Sequence, residues 1–158
     1  MTRAGLVLLA LAAMGLDQAT KAAALTALTP GQPVEVLPGF ALTLGFNEGA
    51  SFGMLSGVMA GRPLAMAALA GAITLVLAIV AWRSRHPVEA AGLALIVGGS
   101  LGNIADRLRQ GAVTDFLDVY WRDWHWPAFN LADVAITLGA ALIFASALSG
   151  LRRGHGHA

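Results

Sequence analysis

Residues 64–82 contain no charged side chain, and at about 1.5 Å per helical residue this stretch is long enough to cross the hydrocarbon of a membrane. The whole chain fits that location, because 57% of its residues are hydrophobic and only 12% are charged. Soluble domains carry roughly 25% charged residues. A chain of 158 residues cannot bury so many apolar side chains in one core. The sequence therefore predicts a small α-helical integral membrane protein, and it excludes an ordinary soluble domain and a disordered chain.

Three further stretches are apolar enough to span the membrane: residues 4–28, 90–105 and 134–151. We predict a single membrane-embedded domain over residues 1–158, with four transmembrane helices. The two long connections, at about 29–61 and 106–129, are expected on the same side of the membrane.

The first stretch also has features of a cleaved signal peptide, with Arg3 ahead of apolar residues 5–16 and small residues at 22–24. Asp17 and Lys21 argue against cleavage, because the segment before a cleavage site is normally uncharged. These two residues are four apart, so they share a helix face on which they can pair. We therefore predict a retained first helix.

Arginine placement predicts the orientation of the helices, because cytoplasmic flanks carry an excess of Lys and Arg. Five arginines fall on the side of the two termini: Arg3, Arg83, Arg85, Arg152 and Arg153. Four fall on the other side: Arg62, Arg107, Arg109 and Arg122. Both termini are therefore expected in the cytoplasm, and the long connections are expected outside.

The extracytoplasmic connections have their own patterns. Residues 40–47 alternate with period two, with Phe40, Leu42, Leu44 and Phe46 on one side, which predicts a strand with one apolar face. The second connection concentrates aromatic residues that are typical of the membrane–water boundary: Tyr120, Trp121, Trp124 and Trp126.

Composition also excludes several classes of function. A formal net charge of +1 is too small for a nucleic-acid-binding protein. The absence of cysteine excludes a disulfide framework, a thiolate nucleophile and a Cys-ligated zinc site. The chain has no His-containing motif of the zinc hydrolases, so we expect neither a metal nor another cofactor.

The polar residues converge on one level of the predicted helices. The outer end of the first helix carries Asp17 and Lys21, and the third and fourth helices add further groups at the same depth: Asn103, Asp106, Arg107, Asn130 and Asp133. Asp115 and Asp118 lie on the connection between the last two helices. Some of these have structural explanations, since Asn130 and Asp133 fit a helix N-cap. Ionisable groups at a membrane are rare and usually functional, so the convergence predicts a site.

Carboxylates dominate this predicted site. Two that are held close enough to share a proton can hydrolyse a peptide, one activating water and the other protonating the scissile carbonyl. A Ser51–Lys21 dyad is the alternative peptidase mechanism. A small membrane transporter with an acidic site is the alternative of a different class, although transporter sites lie near the bilayer midplane. A purely structural adaptor would leave the acids without a role.

Five sequence blocks resemble the lipoprotein signal peptidase (signal peptidase II) family of bacteria: 17–21 (DQATK), 47–52 (NEGASF), 98–107 (GGSLGNIADR), 113–116 (VTDF) and 129–133 (FNLAD). They occur in the order and spacing of the family and span nearly the whole chain. Ser51, Gly53 and Thr114 depart from residues that are common in the family.

The resemblance implies a four-helix aspartic peptidase of the bacterial cytoplasmic (inner) membrane, with a small extracytoplasmic β-cradle and an active site at the outer face. It implies cleavage of diacylglyceryl-modified prolipoproteins just before the lipidated cysteine, contact with membrane lipid, and inhibition by globomycin-type compounds. The implied catalytic pair is Asp115 and Asp133. The implied lining or supporting residues are Asp17, Lys21, Asn47, Gly99, Asn103, Arg107, Asn130 and Ala132. Nothing requires more than one chain, so we expect a monomer.

The residue types suggest roles for several of these positions. Asn103 and Arg107 share a helix face and can brace a loop or the substrate backbone through hydrogen bonds. The Asp17–Lys21 pair is expected to be scaffold, because a buried pair compensates itself. Gly99 permits a close backbone or substrate approach.

Overall fold

A computed structural model of the protein describes residues 1–49 and 62–154. The described residues include four helices and four strands. The helices are α1 (Arg3–Ala27), α2 (Pro63–Arg83), α3 (Pro87–Gln110) and α4 (Leu131–Gly154). The strands are β1 (Val34–Leu37), β2 (Phe40–Asn47), β3 (Val113–Trp121) and β4 (Trp124–His125). Ser51 and Gly53 lie outside the described residues.

All four helices are long enough and apolar enough to cross a membrane. Many of their large apolar side chains face outward, including Leu8, Leu64, Leu75 and Phe144. Water would solvate such a surface poorly, whereas lipid tails solvate it well. The predicted fold is confirmed: an α-helical integral membrane protein with four transmembrane helices and a small antiparallel sheet.

Glycines let α3 approach its neighbours closely. A Cβ atom added to Gly92 would lie 2.6 Å from the carbonyl oxygen of Gly139 in α4. One added to Gly99 would lie 2.5 Å from the carbonyl oxygen of Ala132, also in α4. Gly98 approaches Ala10 in α1 in the same way. Small residues at helix contacts are typical of membrane bundles, and here they make α3 the central helix.

The largest departures from the predicted apolar stretches are at the ends of α3 and α4. The third stretch was predicted at 90–105, but α3 continues to Gln110 because its polar side chains find partners inside the protein. Gly111 caps this end of the helix: it has a φ of 81° and donates its N–H to the carbonyl oxygen of Arg107 at 3.1 Å. The fourth stretch was predicted from residue 134, but α4 begins at Leu131 because Asn130 caps it.

The four strands form one antiparallel sheet in the order β1-β2-β3-β4. The prediction of a single apolar face along residues 40–47 is wrong. The register between β2 and β3 shifts between Leu42 and Gly45, so one extra residue in β2 interrupts the alternation. Ala41 and Leu44 are buried as a result, whereas Phe46 is 52% exposed. The shift pairs Gly45 with Asp115.

The predicted aromatic cluster forms the short pairing between β3 and β4. Trp121 pairs with Trp124, and both indole side chains are exposed. Arg122 sits in the turn with a φ of 55°. Exposed indoles at the end of a membrane bundle fit the predicted position at the membrane–water boundary.

Candidate active site

Asp115 and Asp133 line one cavity of about 510 Å³, although they come from different elements. Asp115 lies on β3, and Asp133 lies in the first turn of α4. Among the described residues, most of the other lining side chains are apolar: Trp126, Pro127, Ala128, Phe129, Val134, Ile136 and Leu138. The two acids therefore meet in a cavity whose walls offer them little solvation.

Asn130 connects the two acids. Its side-chain Nδ2 donates to Asp115 Oδ1 at 2.6 Å and to the carbonyl oxygen of Thr114 at 3.3 Å. Its Oδ1 accepts from the backbone N–H of Asp133 at 3.0 Å, and its own N–H donates to Asp133 Oδ2 at 3.3 Å. This reciprocal capping starts α4 and fixes the direction of the Asp133 side chain. One fully buried residue thus positions both carboxyl groups.

Burial raises the pKa of the Asp115 carboxyl to about 6, and the nearby negative charge of Asp133 adds to the rise. Hydrogen bonds from the side chains of Asn130 and Asn47 oppose it, since they favour the ionised carboxylate. Asn47 lines the same cavity. A carboxyl with this pKa can hold a proton close to neutral pH, which an ordinary surface aspartate cannot.

The raised pKa predicts that Asp115→Asn stabilises the protein at neutral and alkaline pH. The folded state binds the Asp115 proton more tightly than the unfolded state, so the free energy of unfolding falls as pH rises from the ordinary aspartate pKa to about 6. Asn avoids this loss, which amounts to at most about 3 kcal/mol. We expect the melting temperature in detergent to be higher than wild type at about pH 8 and equal to it below about pH 4. A decrease of the same size at every pH would contradict the burial of a charged carboxylate.

Asn103 and Arg107 lie one turn apart at the end of α3. Asn103 Nδ2 donates to Asp133 Oδ1 at 3.1 Å, so both oxygens of Asp133 accept a hydrogen bond. Arg107 donates to the carbonyl oxygens of Gly49 at 2.7 Å and Asn103 at 3.3 Å. Its buried Nε has no hydrogen-bond partner within the described part of the chain. Arg107 therefore braces the segment after β2.

A cluster of three fully buried ionic side chains lies behind the acids. Lys21 Nζ is 2.9 Å from Asp17 Oδ2 and 3.0 Å from Asp106 Oδ2, and it donates to Asn103 Oδ1 at 2.8 Å. The predicted Asp17–Lys21 pair is thus present, within a larger cluster. All three donors of the ammonium group are occupied, which suits a structural cation rather than the general base of a Ser51–Lys21 dyad.

Gly99 and Ala132 contact each other's helices rather than the described lining of the cavity. The close approach expected at Gly99 is to the backbone of α4, so its role in the described structure is helix packing. The backbone N–H of Ala132 donates to Asp17 Oδ1 at 2.8 Å, which ties α1 to the first turn of α4.

Asp106 belongs to the polar cluster predicted at the end of the third helix, but the sequence assigns it no role in the site. Its carboxylate accepts from the N–H of Thr114 at 3.1 Å and from Gln18 Nε2 at 3.0 Å. Asp106 lies three residues after Asn103 and directly before Arg107 in the same helix. This spacing could have indicated that Asp106 belongs to the site. Thr114, noted only as a departure, is fully buried and accepts from Gln110 at 2.7 Å.

Other polar groups lie elsewhere. Asp118 pairs with His125 Nδ1 at 2.9 Å, and the ring of His125 stacks on the ring of Tyr120. No group of three or more His, Cys, Asp or Glu side chains suited to a metal ion occurs among residues 1–49 and 62–154.

Comparison with known proteins gives matches over most of the chain. The profile of the family described as Signal peptidase (SPase) II matches residues 9–149. The lipoprotein signal peptidase of Burkholderia thailandensis is 45% identical over 137 residues, which cover 86% of this chain and 82% of that protein. The lipoprotein signal peptidase of Serratia marcescens is 40% identical over 134 residues, which cover 85% and 79%.

Two solved structures described as bacterial membrane enzymes share the fold. One superposes with a TM-score of 0.81 at 27% identity and covers 93% of this chain and 89% of that chain. The other also has a TM-score of 0.81, at 28% identity, and covers 92% and 94%.

Proposed function

We infer that this chain, which belongs to the signal peptidase II family, cleaves prolipoprotein signal peptides by an aspartic mechanism with Asp115 and Asp133 as its catalytic pair. It is a multi-pass membrane peptidase of bacterial type, and the transporter alternative is not favoured. The observation that carries the aspartic mechanism is the pair of carboxyl groups in one apolar cavity, held by a shared asparagine.

The two carboxyl groups divide the work of peptide hydrolysis. One is ionised and takes a proton from a water molecule, whose oxygen attacks the scissile carbonyl carbon. The other is protonated and gives its proton to the carbonyl oxygen. The tetrahedral intermediate then collapses and the C–N bond breaks. The carboxyl group that took the proton from water gives it to the leaving amine, and the other carboxyl group takes a proton back from a hydroxyl group of the intermediate. The pKa of about 6 at Asp115 supports this division, because it lets the pair hold one proton near neutral pH.

The cavity suits a lipid-bearing peptide. Its α4 wall includes Val134, Thr137 and Leu138, and the last two are exposed on the side of the helix that lipid would cover. We assign to this cavity a prolipoprotein segment with a diacylglyceryl-modified cysteine, which is cut just before that cysteine. The Nε of Arg107, which has no hydrogen-bond partner among residues 1–49 and 62–154, is a candidate donor to a substrate carbonyl. Globomycin-type inhibitors and membrane lipid would contact the same region.

The position of the site supports an orientation. Both acids lie at the end of the bundle that carries the sheet. Arg83 and Arg85 lie at the other end of the bundle, where α2 ends. The excess of arginine at that opposite end supports the proposal that both termini lie in the cytoplasm and the site at the outer face of the cytoplasmic membrane. One chain supplies both acids, so the proposed active unit is a monomer.

A gel-shift assay tests the substrate. Purified protein in detergent is incubated with a diacylglyceryl-modified prolipoprotein and with the same precursor lacking the lipid. We expect the lipidated precursor to lose its signal peptide and the other to stay intact. Equal cleavage of both precursors would contradict the lipid requirement. Failure to cleave either, together with solute movement in liposomes, would favour a transporter.

A further inference from the structure

We propose that the buried cluster of Asp17, Lys21 and Asp106 is a positioning unit that sets where the two catalytic carboxyl groups lie relative to each other. The proposal rests on the catalytic pair proposed above and assigns a role to residues that do not line the described cavity. Two of the hydrogen bonds that leave the cluster end at the residue before a catalytic acid, and a third ends at Asn103, which itself donates to Asp133.

The first bond leads to α4. Asp17 Oδ2 binds Lys21, which leaves Oδ1 to accept the backbone N–H of Ala132 at 2.8 Å. Ala132 directly precedes Asp133 and lies in the first turn of α4, where backbone N–H groups have no partner within the helix. Asp17 therefore anchors the backbone from which Asp133 projects.

The second bond leads to β3. Asp106 Oδ2 binds Lys21 at 3.0 Å and also accepts the backbone N–H of Thr114 at 3.1 Å. Thr114 directly precedes Asp115. The two carboxylates on either side of Lys21 thus hold equivalent positions, each binding the N–H of the residue before one catalytic acid.

The third bond fixes a side chain. Lys21 Nζ can only donate, so the Asn103 atom that it contacts at 2.8 Å must be the amide oxygen. The amide nitrogen then faces Asp133 Oδ1 at 3.1 Å and donates to it. Lys21 thereby selects the amide orientation in which Asn103 stabilises Asp133, rather than the one that would place two oxygens together.

Stability alone does not explain this cluster. Two carboxylates and one ammonium group are fully buried, and desolvating such charges costs several kcal/mol per ion. Apolar side chains of similar size are often at least as stabilising as a buried ion pair. A positioning role accounts for both the charges and the direction of their outward bonds.

Two substitutions of Asp106 separate positioning from general stability. Asn at this position keeps an oxygen that can accept from Thr114 and Lys21, whereas Leu has nearly the same size and no acceptor. We expect Asp106→Leu to lower kcat about 100-fold, with KM within about threefold of wild type, because the catalytic acid is displaced and the cavity is not. Asp106→Asn should restore most of that loss. Lys21→Met should resemble Asp106→Leu.

Arg109→Gln is the matched control. Arg109 contacts the other oxygen of Asp106, Oδ1, at 3.3 Å, and its side chain is largely exposed. Arg109 takes no part in the hydrogen bond from the Thr114 N–H to Asp106 Oδ2. We expect its kcat to stay within about threefold of wild type, because an exposed ion pair contributes little.

Hydrogen exchange at the Thr114 and Ala132 amides gives a readout that needs no activity. Asp106→Leu should speed exchange at Thr114 and leave Ala132 protected, whereas Asp106→Asn should protect both. Folded Asp106→Leu with wild-type kcat, or with an unchanged Thr114 exchange rate, would overturn the proposal. Equal loss of kcat in the Asn and Leu variants would also overturn it. If wild type itself cleaved nothing, the proposed function would fail, and the exchange rates would still decide whether the cluster holds these amides.

Discussion

Replacing either Asp115 or Asp133 with Asn is expected to lower kcat about 10³- to 10⁴-fold, because the proposed mechanism assigns each carboxyl group a proton transfer that the other cannot take over. The double variant should be little worse than either single variant, since residues that act as a unit do not contribute additively. The measurement is the initial rate of signal-peptide release from a lipidated prolipoprotein. Folding is verified on the same samples, in which Asp115→Asn should be at least as stable as wild type at about pH 8.

Asp118→Asn is the matched control for this pair. Asp118 lies on the same strand as Asp115 and is also buried, but its carboxylate pairs with His125 rather than lining the cavity. We expect its kcat to remain within about threefold of wild type. Wild-type rates in Asp115→Asn or Asp133→Asn would contradict the assignment of the catalytic pair, and so would an equal loss in Asp118→Asn.

The second large effect is expected for Asn130→Asp, which should lower kcat about 100- to 1,000-fold. The substitution keeps the oxygen that accepts from the Asp133 N–H, so the cap of α4 survives. It removes the amide that donates to Asp115 at 2.6 Å and places a third carboxylate beside the pair. The KM should change far less than kcat. The melting temperature is measured on the same sample, because a third buried carboxylate should lower stability.

Thr2→Ala measures the effect of losing a helix cap far from the site, a loss that Asn130→Asp is expected to avoid. Thr2 Oγ1 accepts from the N–H of Gly5 at 3.1 Å and caps α1 at the end of the helix remote from the site. We expect a stability cost of about 1 kcal/mol or less without loss of kcat. If Asn130→Asp cleaved at the wild-type rate, Asn130 would be a helix cap and nothing more.

The membrane fold could be predicted from the sequence because hydropathy is a local property. The composition of residues 64–82 predicts a membrane span without reference to any other part of the chain. The ends of the helices were harder to predict, because they depend on hydrogen-bond and ion-pair partners elsewhere in the chain. Asp106 and Arg107 look like the start of a polar connection, yet they continue α3 since their charges meet Lys21 and the Gly49 carbonyl oxygen.

The sheet shows a second limit. Period-two alternation over residues 40–47 correctly indicates a strand, but it assumes regular pairing with the neighbouring strand. The extra residue between Leu42 and Gly45 is a property of the β2–β3 pair, and no pattern within β2 alone reveals it.

The candidate site was predictable to the extent that its residues lie at recognisable helix positions. The spacing of Asp17 and Lys21 indicated a shared face, and Asn130 with Asp133 indicated a cap. The bonds from Asp17 to Ala132 and from Asp106 to Thr114 were not predictable from local patterns, because they join backbone atoms to side chains on other elements. The first of them links residues that are 115 positions apart.

Cleavage of the lipidated prolipoprotein in the presence of hydroxylamine tests the aspartic mechanism most directly. If the Asp115–Asp133 pair activates water for direct attack, no covalent acyl-enzyme forms, and mass spectrometry should find the released signal peptide only as the free carboxylic acid. A nucleophilic serine such as Ser51 would form an acyl-enzyme that hydroxylamine intercepts. A signal peptide ending in a hydroxamate, or a peptide adduct on Ser51, would contradict the aspartic account.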